Sequence, residues 1–122
     1  GAEIARIGAG MLVLLGVAEG DGEDEADRIV AKLGRLRIFE DSEGRTNDAL
    51  GEREILCVSQ FTLLADVSRG NRPSFTGAAG PETARALYER VCEGLGAEAG
   101  EFGARMAVEL VNDGPFTLLV EA

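Results

Sequence analysis

The sequence predicts one α+β domain: a largely antiparallel sheet with two amphipathic helices. Three observations point there. At 122 residues the chain has room for a single core. Short apolar runs come in neighbouring pairs. Only two stretches, one after Asp21 and one after Gly80, carry helical spacing.

In order, Glu3–Ile7 reads as a short strand, Gly8-Ala9-Gly10 as a turn, and Met11 to Val17 as a buried strand, together a hairpin. Asp21 is placed to cap a helix whose first turn is acidic, and Ala26, Ile29, Val30 and Leu33 recur on one face until Gly34. Arg37–Glu40 is a short strand, Asp41-Ser42-Glu43-Gly44 a turn, and Arg45 to Arg53 a polar loop. A central strand starts at Glu54. Pro81 opens the second helix, whose apolar face is Ala84, Leu87, Tyr88, Val91 and Leu95, with Gly94 or Gly96 closing it. Phe102–Val111 and Phe116–Val120 alternate as two last strands around Asn112-Asp113-Gly114-Pro115. Two helices cover only part of such a sheet, so a second copy is expected on the rest, making a homodimer.

Composition narrows the chemistry. The net charge is −10, with 22 acidic and 12 basic residues, which argues against gripping DNA or a long polynucleotide. A nucleic acid would be met locally, by a few arginines; Lys32 is the one lysine. No histidine is present, which removes Ser-His and Cys-His nucleophiles and, with two cysteines and no CxxC, leaves no zinc ligand set. No cofactor or metal is expected. The longest apolar run, Met11–Leu15, is too short to span a bilayer, so no membrane partner and a cytoplasmic location are expected.

Three stretches place polar groups where a plain scaffold needs none. Ser59-Gln60-Phe61-Thr62 ends the apolar run Ile55–Val58. Arg69-Gly70-Asn71-Arg72-Pro73-Ser74-Phe75 sets two arginines on a loop suited to phosphate or carboxylate. Asn112-Asp113-Gly114-Pro115 reads first as a tight turn, and its X-Pro bond is a place for a cis peptide, which would aim two carbonyls the same way.

Together these stretches resemble the D-aminoacyl-tRNA deacylase family. The matching residues are Ser59-Gln60-Phe61-Thr62-Leu63 with Ala65-Asp66, then Arg72-Pro73-Ser74-Phe75, then Asn112-Asp113-Gly114-Pro115. Leu14-Leu15-Gly16-Val17, Leu36-Arg37-Ile38-Phe39 and Val108-Glu109-Leu110-Val111 support them, so the likeness spans about Glu3 to Glu121 as one deacylase domain. The resemblance implies a homodimer that hydrolyses the ester joining a D-amino acid, or glycine, to the terminal adenosine of tRNA. It implies that Ser59, Gln60, Phe61 and Thr62 form the catalytic pocket and that Asn112, Gly114, Pro115, Arg72, Pro73, Ser74 and Phe75 bind substrate. Gly114-Pro115, cis in the family, would reach into the partner's pocket and exclude L-residues. With no base to activate Thr62, backbone N–H donors and the substrate's 2′-hydroxyl are favoured over a covalent intermediate. The chain departs from the family in lacking a first strand with its Gln-Arg-Val segment, in Phe116 and Thr46, where valine and methionine are usual, and in shorter loops near Leu50-Gly51 and Gly94–Gly100. A sister deacylase acting on an L-amino acid, a non-catalytic tRNA-end-binding module and a purely structural dimer are the rival readings.

Overall fold

The computed structural model describes residues 3–114 and 116–122. Its centre is the strand β4. In chain order the elements are β1 (Gly10–Leu15), α1 (Glu23–Arg35), β2 (Phe39–Glu40), β3 (Thr46–Asp48), β4 (Glu54–Ser59), a 3-10 turn (Phe61–Leu64), α2 (Pro81–Leu95) and β5 (Glu98–Ala99).

The main sheet has the order β1-β4-β5, and both pairings are parallel, from Gly10↔Glu54 to Leu15↔Ser59 on one side and Leu56↔Glu98 on the other. The expectation of a largely antiparallel sheet is thereby corrected. Parallel neighbours need a crossover, and each helix supplies one: α1 lies between β1 and β4, α2 between β4 and β5. Among the described strands the small β2–β3 pair is antiparallel, closed by the expected Asp41–Gly44 turn. There the Asp41 carboxylate accepts the N–H groups of Glu43 (2.9 Å) and Arg45 (3.0 Å). Thr46–Asp48 is thus a strand where a loop was expected.

The hairpin at the start is corrected too, because β1 pairs with β4 and Glu3–Ile7 enters no ladder. Phe102–Val111 and Phe116–Val120 alternate in hydropathy, yet no neighbouring strand pairs with them among the described residues. A strand is defined by its partner's hydrogen bonds, and alternation alone does not provide one. Met106 nevertheless lies against Gly100, beside Val58 of β4: a Cβ at Gly100 would fall 3.1 Å from Met106 Cε and 3.7 Å from Val58 Cγ2.

The helices follow their sequence signals closely. Gly22, not Asp21, is the N-cap of α1; the Asp21 carboxylate turns back to accept the Ala18 N–H (2.8 Å). Glu25 accepts the N–H of Gly22 (2.8 Å), satisfying a free donor of the first turn. Gly34 lies inside the helix, which runs one residue further to Arg35. In α2, Pro81 takes the first position and Gly96, at φ +60°, ends the helix in the left-handed conformation that glycine adopts without a Cβ penalty.

The core lies between helices and sheet. Cys57, Tyr88, Val91 and Cys92 pack with Val17 and Leu87 in one cluster, and Met11, Leu33 and Ile55 form the adjoining one. The Tyr88 hydroxyl donates to the Cys57 carbonyl (2.7 Å) and lies 3.2 Å from that of Gly100, tying α2 to β4 and to the segment after β5. On the surface, Arg90 of α2 forks onto Asp27 of α1 (2.8 and 3.0 Å).

These bonds give stability a pH dependence. The Gly22 N–H holds Glu25 below the usual carboxylate range, Arg90 does the same for Asp27, and the Arg45 N–H for Asp41. A carboxylate whose pKa is lower folded than unfolded contributes stability above its unfolded value, about pH 4, and loses it as pH falls through the folded value. The melting temperature is therefore expected to hold from pH 7 to about pH 5 and to fall below about pH 4. A melting temperature that climbs steadily to pH 3 would mean that relief of the chain's net negative repulsion outweighs these bonds.

Candidate functional site

The candidate site lies at the C-terminal end of β4. β4 is buried on both faces through Ile55, Cys57 and Val58, and Ser59, half-buried, is its last residue. The Gln60 N–H still donates to the Leu15 carbonyl (2.7 Å), so β1 fixes where the sheet stops. The chain then folds into the 3-10 turn Phe61–Leu64, with the Leu63 N–H donating to the Gln60 carbonyl (3.3 Å). Among the described hydrogen bonds, the N–H groups of Phe61 and Thr62 find no acceptor. The Gln60 side-chain amide donates to the Thr62 hydroxyl, so these two polar groups hold one another.

Gly16 makes this arrangement possible. A Cβ there would lie 2.5 Å from Leu64 Cδ2 and 3.2 Å from the Gln60 carbonyl oxygen, so the turn rests on a bare backbone.

The second stretch is a closed loop. Asp66 and Ser74 exchange backbone hydrogen bonds of 2.7 and 2.9 Å, pinning both ends of residues 67–73. Gly70 at φ +100° makes the bend between the arginines. The Ser68 hydroxyl (2.6 Å) and N–H (2.9 Å) both donate to Asp66, holding its carboxyl below the usual range. The next residue, Phe75, sets its ring edge-on to Phe61, with centroids 5.0 Å apart and planes at 63°. Phe61 is 56% exposed and Phe75 37%, so the pair forms an apolar wall open to a ligand.

Ser59, Gln60, Phe61 and Thr62 are thus brought together with Ser74 and Phe75. Arg72 lines a cavity of about 390 Å³ with Asp66, Arg69, Ser74 and Thr76. Pro73 precedes the Ser74 bridge. Arg69 and Thr76 were not among the residues expected to bind substrate; the doubled arginine in Arg69-Gly70-Asn71-Arg72 was the available signal for the first. The other concavity, along Pro81, Arg85 and Phe102, lies on α2 away from this corner.

Asn112 and Gly114 are exposed and joined to the corner by no described hydrogen bond. The Asn112 amide donates instead to the Thr117 hydroxyl (2.9 Å), clasping the tip across its base. Pro115, and with it the geometry of the Gly114–Pro115 bond, lies outside the described residues.

What this corner offers chemically is backbone donors, an amide and a hydroxyl. Both cysteines are free and buried, and burial pushes the Cys57 thiol well above its usual value, so it is no nucleophile. Among the described residues no group of three or more histidine, cysteine or acidic side chains could hold a metal, and no helix is long and apolar enough to cross a membrane.

The molecule is an α+β fold whose β4 corner presents main-chain donors beside an aromatic pair. The family model for D-Tyr-tRNA(Tyr) deacylase matches residues 1–121, and the chain belongs to that family. A D-aminoacyl-tRNA deacylase of Anaeromyxobacter dehalogenans is 53% identical over the whole chain and 87% of its own length. Another, from Myxococcus xanthus, is 51% identical, with 84% of its length covered. Among solved structures, one titled c-Myc DNA Unwinding Element Binding Protein superposes with a TM-score of 0.93 at 39% identity, covering all of this chain and 88% of that one.

Proposed function

We propose that this chain is a D-aminoacyl-tRNA deacylase: it hydrolyses the ester of a D-aminoacyl-tRNA to free D-amino acid and tRNA. The observation that carries the reading is the corner itself, where the unengaged N–H groups of Phe61 and Thr62 stand beside the Gln60–Thr62 pair. Membership of the family supports it.

The reaction suits such a sparse site. An aminoacyl ester is already activated, so holding it and a water in line supplies much of the rate, and main-chain donors stabilise the oxyanion as water attacks the carbonyl. The Thr62 hydroxyl positions rather than attacks, since its described partner is the Gln60 amide and no base is at hand. The substrate's 2′-hydroxyl assists departure of the 3′-oxygen. The Phe61–Phe75 wall offers the terminal adenine a stacking surface.

The active form is a homodimer. In support, Leu110, Val111, Phe116 and Leu119 are exposed along the C-terminal segment, Val111 at 90% and Leu119 at 81%, an apolar surface that a second copy would cover. Gly114 and Pro115 of each protomer then cap the partner's pocket, engage the α-ammonium through their carbonyls and leave no room for an L side chain. Glycine, having none, is accepted. The solved neighbour's title speaks of a DNA element, but a net charge of −10 favours contact with a single nucleic-acid end over a grip on duplex DNA.

The test is deacylation of matched D-tyrosyl- and L-tyrosyl-tRNA. The D ester is expected to be hydrolysed at least about a hundredfold faster, a difference of roughly 2.7 kcal/mol in the barrier. Equal rates would overturn the filter, and absence of any turnover beside retained tRNA binding would favour the non-catalytic module.

A further inference from the structure

Resting on that deacylase reading, we propose that Arg69 and Arg72 form an anion subsite taking a backbone phosphodiester of the nucleic acid whose 3′ end carries the ester. Four observations lead to it. The loop that presents both guanidinium groups is pinned at each end by the Asp66–Ser74 bonds, so they project from a fixed frame. They line one cavity, with the hydroxyl-bearing Ser74 and Thr76 beside them. Neither enters an ion pair among the described residues, a state shared with Arg35, Arg37, Arg53, Arg85 and Arg105, so both guanidinium groups are open to an external anion. The one carboxylate lining the cavity, Asp66, has its Oδ1 held by the Ser68 hydroxyl and N–H.

Charge selects the ligand. Two guanidinium groups and one carboxylate leave the cavity with a single positive charge, which matches a phosphodiester better than a doubly charged terminal phosphate. Position selects the source. Ser74 lines the cavity and Phe75, the next residue, touches Phe61 of the ester-binding corner. A strand ending at that corner therefore passes its last internucleotide phosphates over this loop. Arg69 would then distinguish an aminoacyl-tRNA from a free aminoacyl-adenosine.

The experiment compares Arg69→Gln with the unaltered chain on D-tyrosyl-tRNA and on 3′-D-tyrosyl-adenosine, across a salt series. On the tRNA ester, kcat/KM is expected to fall about tenfold, carried by KM, and at least about five times more than on the adenosine ester. The dependence of log(kcat/KM) on log salt should become shallower by about one phosphate contact, and Arg69→Lys should restore that slope while recovering only part of the affinity. Arg35→Gln, which removes the same charge from the last turn of α1, should leave the ratio between substrates unmoved. Equal losses on both substrates, or an unchanged slope, would overturn the subsite.

Should the unaltered chain cleave neither ester, the deacylase reading fails, and binding decides the subsite separately. A ribotrinucleotide ending in adenosine should bind the unaltered chain more tightly than Arg69→Gln, with free adenosine showing no such difference. Equal trinucleotide binding by the two proteins, or inorganic phosphate competing as well as the trinucleotide does, would refute it.

Discussion

Gly16→Val is expected to lower deacylation about a hundredfold while the chain still folds, because a displacement near 1 Å of groups that position a reaction costs on that order. The cause is geometric. A Cβ at Gly16 already falls 2.5 Å from Leu64 Cδ2 and 3.2 Å from the Gln60 carbonyl. Leu64 is a side chain and can rotate away, so Gly16→Ala should cost far less. The Gln60 carbonyl belongs to the backbone that the Leu15–Gln60 and Gln60–Leu63 hydrogen bonds hold, and the two further methyls of valine leave it no way to stay in place. The 3-10 turn must lift, carrying the Phe61 and Thr62 donors off the reacting carbonyl. Single-turnover rates with D-tyrosyl-tRNA, set beside a denaturant curve, would show a catalytic loss without a matching loss of stability. An undiminished rate for the valine variant would mean that chemistry does not depend on where this turn sits.

Tyr88→Ala is expected to remove about 3–5 kcal/mol of stability, the range for deleting a large buried aromatic side chain. Against a total of about 5–15 kcal/mol for a domain, that brings the chain near unfolding at ordinary temperatures. Tyr88 is 2% exposed, packs among Cys57, Val91 and Cys92, and tilts against Phe102 at 5.9 Å. Its hydroxyl also donates to the buried Cys57 carbonyl of β4 and lies 3.2 Å from that of Gly100. Tyr88→Phe separates the two contributions: it keeps the ring and should cost about 1 kcal/mol, the usual net worth of a hydrogen bond. Urea midpoints at constant slope measure both. A Phe variant as damaged as the Ala variant would place the weight on the hydroxyl instead of the ring.

Much of this molecule can be read directly from its residues. The spacing of Ala26, Ile29, Val30 and Leu33, and Pro81 with Gly96 around α2, specify both helices, because capping and one-sided burial are local properties. The apolar run from Ile55 ends at Ser59 in the structure too, and the Phe61–Phe75 contact joins two of the stretches that the sequence singles out. The direction of the sheet was less legible. Pairs of apolar runs suggested hairpins, yet a 13-residue helix between β1 and β4 is the spacing of a parallel crossover, and that count outweighs the apparent pairing. The C-terminal alternation misled for a different reason. Val108 and Leu110 announce a face that wants covering, but what covers it is a matter of tertiary or quaternary partners, which no local pattern encodes. The paired Arg69 and Arg72 suggested an anion from the sequence alone, but paired arginines on a loop look the same whether they meet solvent or a phosphate; the closed Asp66–Ser74 frame is what the structure adds.

β4 has one further consequence. Its six residues carry much of the innermost packing, and the candidate corner begins at its last rung, Ser59. The turn that follows hangs from it through the Leu15–Gln60 and Gln60–Leu63 hydrogen bonds, so melting this strand removes the support of the corner. On the deacylase reading, heat that dismantles this body takes the catalyst's tip with it, so activity is not expected to outlast the fold.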